Sequence, residues 1–282
     1  MKPNSKFLNL PKNFWASVRL ISQEVGYTEK STSQIKIPSL DEIQSKLAKF
    51  EIEFSRLQSQ KTVNGNFGQI LQGYFIYRAD IINTFVEPRL MNVTEARKVF
   101  KKFYKDLQPS CPIPMNKQKG KMKTPAYLTG LVNMLVEANA NGLPCDYDPH
   151  QLTIITEDYL PVRTLARRVD GAFPSSVNPI AIWEIKEYYY TTTFGSRVAD
   201  GIYESLLDGL ELEELREHEG VDIKHYLIVD AHDTWWKQGK SYLCRIIDML
   251  HMGYIDEVLF GREVTERLPD LVSEWAEIYK SR

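Results

Sequence analysis

RRVDGAF (residues 167–173) and IAIWEIKEYYY (180–190) decide how the rest of the sequence is read. Both runs read as apolar strands, and each delivers charge to one end: Asp170 from the first, Glu184 from the second, with Lys186 two residues on. Strand side chains alternate between faces, so Glu184 and Lys186 point the same way. Thirteen residues lie between Asp170 and Glu184, enough for the end of one strand, a turn and most of the next. An antiparallel pairing then sets the two carboxylates side by side. Magnesium takes oxygen ligands and keeps several waters, so Asp170, Glu184 and a scissile phosphate oxygen make a sufficient cage for it, to which the backbone carbonyl of Ile185 can add another ligand. Lys186 would orient or polarise an attacking water, and the set suits hydrolysis of a phosphodiester.

A D…ExK string alone is weak, because carboxylates and lysines are common on solvated strand faces. Here Val169, Ile180, Ile182, Trp183 and Ile185 make the flanks strongly apolar, so the charges sit at the end of a run that should be buried and need partners or a metal. The competing reading is a structural salt bridge from Glu184 to Lys186 or Arg168.

Working outward, LTIIT (152–156), TLARRVDGAF (164–173) and IAIWEIKEYYY read as three strands. Helical spacing returns over 196–218, although Gly201 and Gly209 weaken it. A strand at 225–231, a helix at 241–251, a strand at 257–260 and a C-terminal helix follow. With the helix that starts at Pro125 and stops at Gly142, residues 124–282 read as α-β-β-β-α-β-α-β closed by the C-terminal helix. Residues 1–123 read as mostly helical: 12–26, a helix capped by Ser39 and Glu42 and running to about Leu57, a long buried helix ending near Pro88, and one over 94–107 beginning at Thr94. The expected organisation is therefore a helical region over 1–123 and an α/β core over 124–282.

The 282 residues are 43% hydrophobic, sufficient for one large domain or two modest ones. Nowhere do 18 apolar residues follow one another, and the N-terminus reads as no signal peptide, so no membrane segment is expected. Cys111, Cys145 and Cys244 are odd in number and far apart. They fit neither a disulfide framework nor a zinc site and point to a reducing, cytoplasmic setting. The five histidines lack HxxxH or HExxH spacing, and no GxxxxGK[ST] or GxGxxG occurs, which removes zinc-hydrolase and nucleotide-motif readings. Trp235 and Trp236 read as core residues at a strand end.

Net charge is only −2, yet residues 1–123 hold 21 Lys and Arg against 10 Asp and Glu, while residues 124–282 hold 14 against 27. Nine cations and one acid fall between 97 and 123. Lys101 and Lys102 lie on the 94–107 helix, and Lys117, Lys119, Lys121 and Lys123 in the loop that follows. Alone these suit a solvated helix face and a linker; beside a hydrolytic site they suit contact with a DNA backbone.

The Asp170…Glu184-x-Lys186 set, in this order of elements, resembles the PD-(D/E)XK nuclease superfamily, with Val169 where the family name has proline. The resemblance covers about residues 124–261. It implies a restriction-endonuclease-like α-β-β-β-α-β core, a central mixed sheet flanked by helices. Many members carry a Glu on the helix before the first strand that assists the metal, and Glu137 is the only acid available there. With a basic N-terminal region, the chain resembles a type II restriction endonuclease. That implies a homodimer cutting double-stranded DNA at short sequences with Mg²⁺, for which Mn²⁺ is a plausible substitute. Arg197, with Thr191, Thr192, Thr193 and Ser196, opens the next helix, where phosphate contact and ordinary capping are equally suited. The rival readings are a structure-selective or repair nuclease of the same superfamily and a non-catalytic DNA-binding module.

Overall fold

The computed structural model describes all residues except 63, 64, 119, 120, 191–194 and 282, and the backbone alone at 62, 117, 118, 121–123, 196 and 197. The spacing of Phe14, Val18 and Ile21 buries one face of helix α1 (Lys12–Val25), which stops where Gly26 takes a φ of 86°. Ser39 caps α2 (Leu40–Ala48), its Oγ accepting from the Glu42 N–H at 3.2 Å. The single helix expected to Leu57 ends early: Glu51 takes a φ of 58° and the chain restarts as α3 (Phe54–Ser59). A short ribbon of β1 (Lys61–Thr62) and β2 (Gly65–Asn66) leads into α4 (Phe67–Ile81). This helix runs through one wider turn at Ile82–Val86 into α5 (Glu87–Arg89), close to the expected stop at Pro88. Phe14, Val18, Ile43, Leu47, Phe67 and Tyr74 pack together as the core of this N-terminal part.

Asn92, rather than Thr94, caps α6 (Val93–Leu107), and Glu95 returns a bond to the Asn92 N–H at 3.0 Å. The segment expected to be a basic loop contains an antiparallel hairpin, β3 (Met115–Gln118) with β4 (Lys121–Pro125). Then come α7 (Tyr127–Asn139), β5 (Ile154–Glu157), β6 (Leu160–Thr164), β7 (Gly171–Phe173) and β8 (Ala181–Glu187). The strand expected over 164–173 is thus divided. β6 ends at Thr164 and β7 begins only at Gly171, and residues 165–170 between them form a loop, with Leu165 and Val169 buried, that brings Arg167 and Asp170 to the end of β7. β5 and β6 form a two-stranded sheet of their own, apart from the main sheet, and Ile154 of β5 also bridges to Val177. The chain finishes with α8 (Ser196–Glu219), β9 (Lys224–Asp230), α9 (Lys240–Met252), β10 (Glu257–Phe260) and α10 (Glu263–Ser281). Among the described residues no helix is long and apolar enough to cross a membrane.

The main sheet has the order β10-β9-β8-β7, with β7 antiparallel to β8 and the other pairs parallel. Central β8 is covered on both faces, which accounts for its near-continuous apolar run. On one face α7 and α10 pack against Trp183, Ile185, Tyr226 and Leu259, with Trp275 stacked on Trp183 at 5.6 Å. Residues of α8 and α9 cover the other face, over Ile182, Leu227, Val229 and Val258. The expected α/β class therefore holds, as a four-stranded mixed sheet between layers of helix. Trp235 is buried in the second layer and stacks on Tyr188, as its expected core role requires.

Candidate active site

Alternation along β8 sends Trp183 and Ile185 toward α7, and Glu184 and Lys186 toward α8. Glu184 is 1% exposed and Lys186 6%. Arg167, from the 165–170 loop, grips Glu184 with both guanidinium nitrogens at 2.8 and 3.1 Å and reaches Asp208 at 2.6 Å. Lys186 Nζ donates to Glu184 at 2.8 Å and to Glu204 at 2.7 Å. Asp170 closes the end of β7: its N–H lies 3.2 Å from the Trp183 carbonyl and its carboxylate accepts from the Ile185 N–H at 2.7 Å. The N–H and C=O of one strand residue share an edge, so the Ile185 carbonyl lies on the edge where Asp170 sits.

α8 approaches closely because its facing residues are small. A Cβ at Gly201 would meet the Lys186 stem at 3.1 Å and the Tyr188 hydroxyl at 2.7 Å, and one at Gly209 would meet the Tyr254 carbonyl at 2.5 Å. The two glycines that argue against a helix are what let this helix lie on the sheet and present Glu204 and Asp208 to β8.

The electrostatics follow from burial and crowding. Burial, then the Glu184 charge, push Asp170 up to about 6 and Asp208 up to about 7. Burial works against ionised Glu184 too, but Lys186 and Arg167 outweigh it and hold its pKa below the usual range. The same opposition leaves Lys186 firmly protonated, its pKa raised by Glu184 and Asp170 over the cost of burial. Four carboxylates (Asp170, Glu184, Glu204, Asp208) against two cations leave two negative charges when all are ionised, and Asp208 Oδ1 is buried without a partner. An all-oxygen donor set with that surplus fits a hard divalent cation. Among the described residues, however, no three His, Cys, Asp or Glu side chains are grouped so as to hold a metal.

Comparison with protein families places the greater part of this architecture. Residues 91–275 match a family described as a domain of unknown function (DUF7687). The chain belongs to the DUF7687 family. Residues 1–85 match a second domain of unknown function (DUF7690). Neither a curated protein nor a solved structure matches the chain. The DUF7687 match takes in α6 and the β3–β4 hairpin, and the packing agrees: Ala96, Phe100 and Cys111 share a core with α7 and the sheet. The line between the two matched regions thus falls earlier than the expected boundary at 123.

Within the DUF7687 region, Asp170, Glu184, Lys186 and the Ile185 backbone come together. The expected structural alternative is present as well, with Arg167 rather than Arg168 as the arginine on Glu184. Glu137 goes elsewhere: it lies on α7, across the sheet from Glu184, and its carboxylate is held by Ser110. Lys101 and Lys102 are exposed on α6. Lys117, Lys121 and Lys123 lie on the hairpin strands and Arg197 in the first turn of α8, with their side chains outside the description; Lys119 and Thr191, Thr192 and Thr193 lie outside the described residues altogether. Sequence reading missed Arg167, Glu204 and Asp208. The signal for the last two was the run of small or polar residues at 201, 205 and 208, four and three apart among apolar neighbours, which marks one buried polar helix face. It missed Glu187 too, whose carboxylate accepts from the N–H groups of Tyr127, Leu128 and Thr129 at 2.9–3.1 Å and so caps α7.

Proposed function

We propose that this chain is a Mg²⁺-dependent endonuclease with a restriction-endonuclease-like core, hydrolysing double-stranded DNA in the manner of a type II restriction enzyme, as a cytoplasmic homodimer. One observation carries the reading: Asp170, Glu184 and Lys186 converge at the end of β8, just beyond its antiparallel partner β7, on the face covered by α8. Asp170, Glu184 and the Ile185 carbonyl would hold Mg²⁺ or Mn²⁺. When bound, the ion supplies Lewis-acid activation of the scissile phosphate and of a water. Lys186 stays an ammonium between Glu184 and Glu204, so it donates to the attacking water or the developing phosphate charge rather than taking a proton. Arg167 fixes Glu184 through two parallel bonds, the geometry in which guanidinium holds a carboxylate most firmly.

The surroundings support a DNA substrate. Glu187 ties the first turn of α7 to the end of β8, and the basic hairpin is rooted there, Pro125 pairing with Met115 two residues before α7 begins. Lys101 and Lys102 on α6 and Lys117, Lys121 and Lys123 on the hairpin strands are thereby carried on elements attached at the same end of the sheet as Lys186, and Arg197 opens α8 on the site's own face; Lys119 lies outside the described residues. Digestion of plasmid DNA with Mg²⁺, followed by sequencing of the ends, tests the proposal. Discrete fragments support a sequence-specific enzyme, a smear or ladder a structure-selective or repair nuclease. No cleavage by wild type with either Mg²⁺ or Mn²⁺ would leave the DNA-binding module, which the mutual saturation of Glu184, Arg167 and Lys186 favours.

A further inference from the structure

A cavity of about 500 Å³ opens at the seam between α1 and the α8–α9 pair, away from the Asp170–Lys186 cluster. That volume lies within the roughly 300–1,000 Å³ typical of small-molecule sites. Its wall is apolar where Ile202, Leu206 and Met249 meet. Arg245 enters it half-buried, and among the described residues it makes no ion pair. Neutral groups hold it instead: its guanidinium lies 5.2 Å from the Tyr27 ring and 5.1 Å from the Tyr242 ring and donates to the Tyr203 hydroxyl at 3.1 Å. Arg19, across the cavity on α1, also has no carboxylate partner among the described residues and rests on Met252 Sδ at 3.3 Å. Asp248, the acid in the described lining, is already committed: Arg78 binds both its oxygens at 3.0–3.1 Å and the Tyr74 hydroxyl donates to it at 2.6 Å.

Two guanidinium groups facing one cavity without counter-charge, one of them immobilised by aromatic rings, form a ready receptor for an anion. The aliphatic wall of Ile202, Leu206 and Met249 suits a flat apolar body beside it. We propose that this cavity binds a small organic anion, a phosphate or carboxylate joined to a flat ring, of about mononucleotide size. The inference is independent of the nuclease reading, since its test needs neither DNA nor metal.

Calorimetry on the full chain, without divalent metal, would use adenosine 5′-monophosphate, indole-3-acetate, adenosine and inorganic phosphate. At least one of the two ring-bearing anions should bind saturably, about tenfold or more tighter than adenosine or phosphate, a factor worth about 1.4 kcal/mol; which one binds distinguishes phosphate from carboxylate. Arg245→Gln should weaken that binding about tenfold or more. Gln23→Trp, at an exposed α1 position on the rim, should block it while the denaturation midpoint stays that of wild type. Failure of both anions to bind at millimolar concentration, or binding that survives either substitution, overturns the proposal.

Discussion

Lys186 is held by two carboxylates at once, and that decides what its replacement should do. In Lys186→Ala, Glu184 keeps both bonds from Arg167, so the carboxylate is not left bare. Folding and DNA affinity should stay near wild type, while cleavage of plasmid DNA should fall by about 10³-fold or more, as for loss of a group acting on developing charge. Lys186→Arg should not restore it, because a planar fork cannot occupy the point position between Glu184 and Glu204. Cleavage retained in both variants would reduce Lys186 to a structural ion-pair partner. Asp230 offers a second test, at a buried carboxyl. It accepts from the Met91 and Ala231 N–H groups at 2.7 and 2.9 Å and from the Tyr189 hydroxyl, and burial pushes it up to about 7 from the ordinary 3.8. Between those values the folded chain keeps a proton that the unfolded chain has lost. The contribution of Asp230 to stability should therefore be greatest below about pH 4, decline as pH rises to about 7 by up to about 4 kcal/mol, and level off above. Asp230→Asn should flatten that decline, read from urea midpoints at about pH 5 and about pH 8; an unchanged slope would assign it to the other buried acids.

At the scale of elements, legibility followed the range of the interactions involved. Strand alternation is local, so Glu184 and Lys186 could be placed on one face from their spacing, and the apolar flanks foretold that this face is buried. The loop that delivers Arg167 could not be read, because nothing local says that RRVD leaves the sheet; its path follows from Leu165 and Val169 entering the core beneath Ile182 and α8. Glu137 failed for a related reason: spacing gives a helix but not the face of the sheet it covers. The α7 cap was equally hidden, since its capping residue lies 60 positions away at Glu187. Glu187→Ala should leave three buried or half-buried N–H groups without an acceptor and cost about 2 kcal/mol, with faster amide exchange confined to the first turn of α7. The β3–β4 hairpin, rooted at that turn, provides the other test. Changing Lys117, Lys119, Lys121 and Lys123 together to Gln should weaken DNA binding and lower the slope of log K against log salt by about 3–4, if each lysine meets a phosphate. A slope equal to wild type would leave the hairpin out of the interface.

Across the whole molecule, two separately matched regions meet through buried polar contacts as well as apolar ones. Ala79, Ile82 and Val86 pack with Leu227, Val258 and residues of α9, and in the same seam Arg78, 1% exposed, is paired with Asp248 on α9 while the Tyr74 hydroxyl donates to the same carboxylate. A charge pair taken out of water at a junction ties the two surfaces in one register, because either partner alone is costly to bury. The N-terminal helices should therefore unfold together with the sheet rather than as an independent unit, and denaturation followed by Trp fluorescence and by far-UV circular dichroism should give one coincident transition. Asp248→Ala leaves Arg78 buried and unpaired and should cost about 3–5 kcal/mol. Tyr74→Phe, which removes one donor from a carboxylate that keeps Arg78, should cost about 1–2 kcal/mol. Replacing both charges with apolar residues of similar volume, Arg78→Met with Asp248→Leu, should recover most of the loss, since the cost lies in the uncompensated charge rather than in the absence of the pair. If the double variant is as unstable as Asp248→Ala, or if the two probes separate in wild type, the seam is not joined in this way.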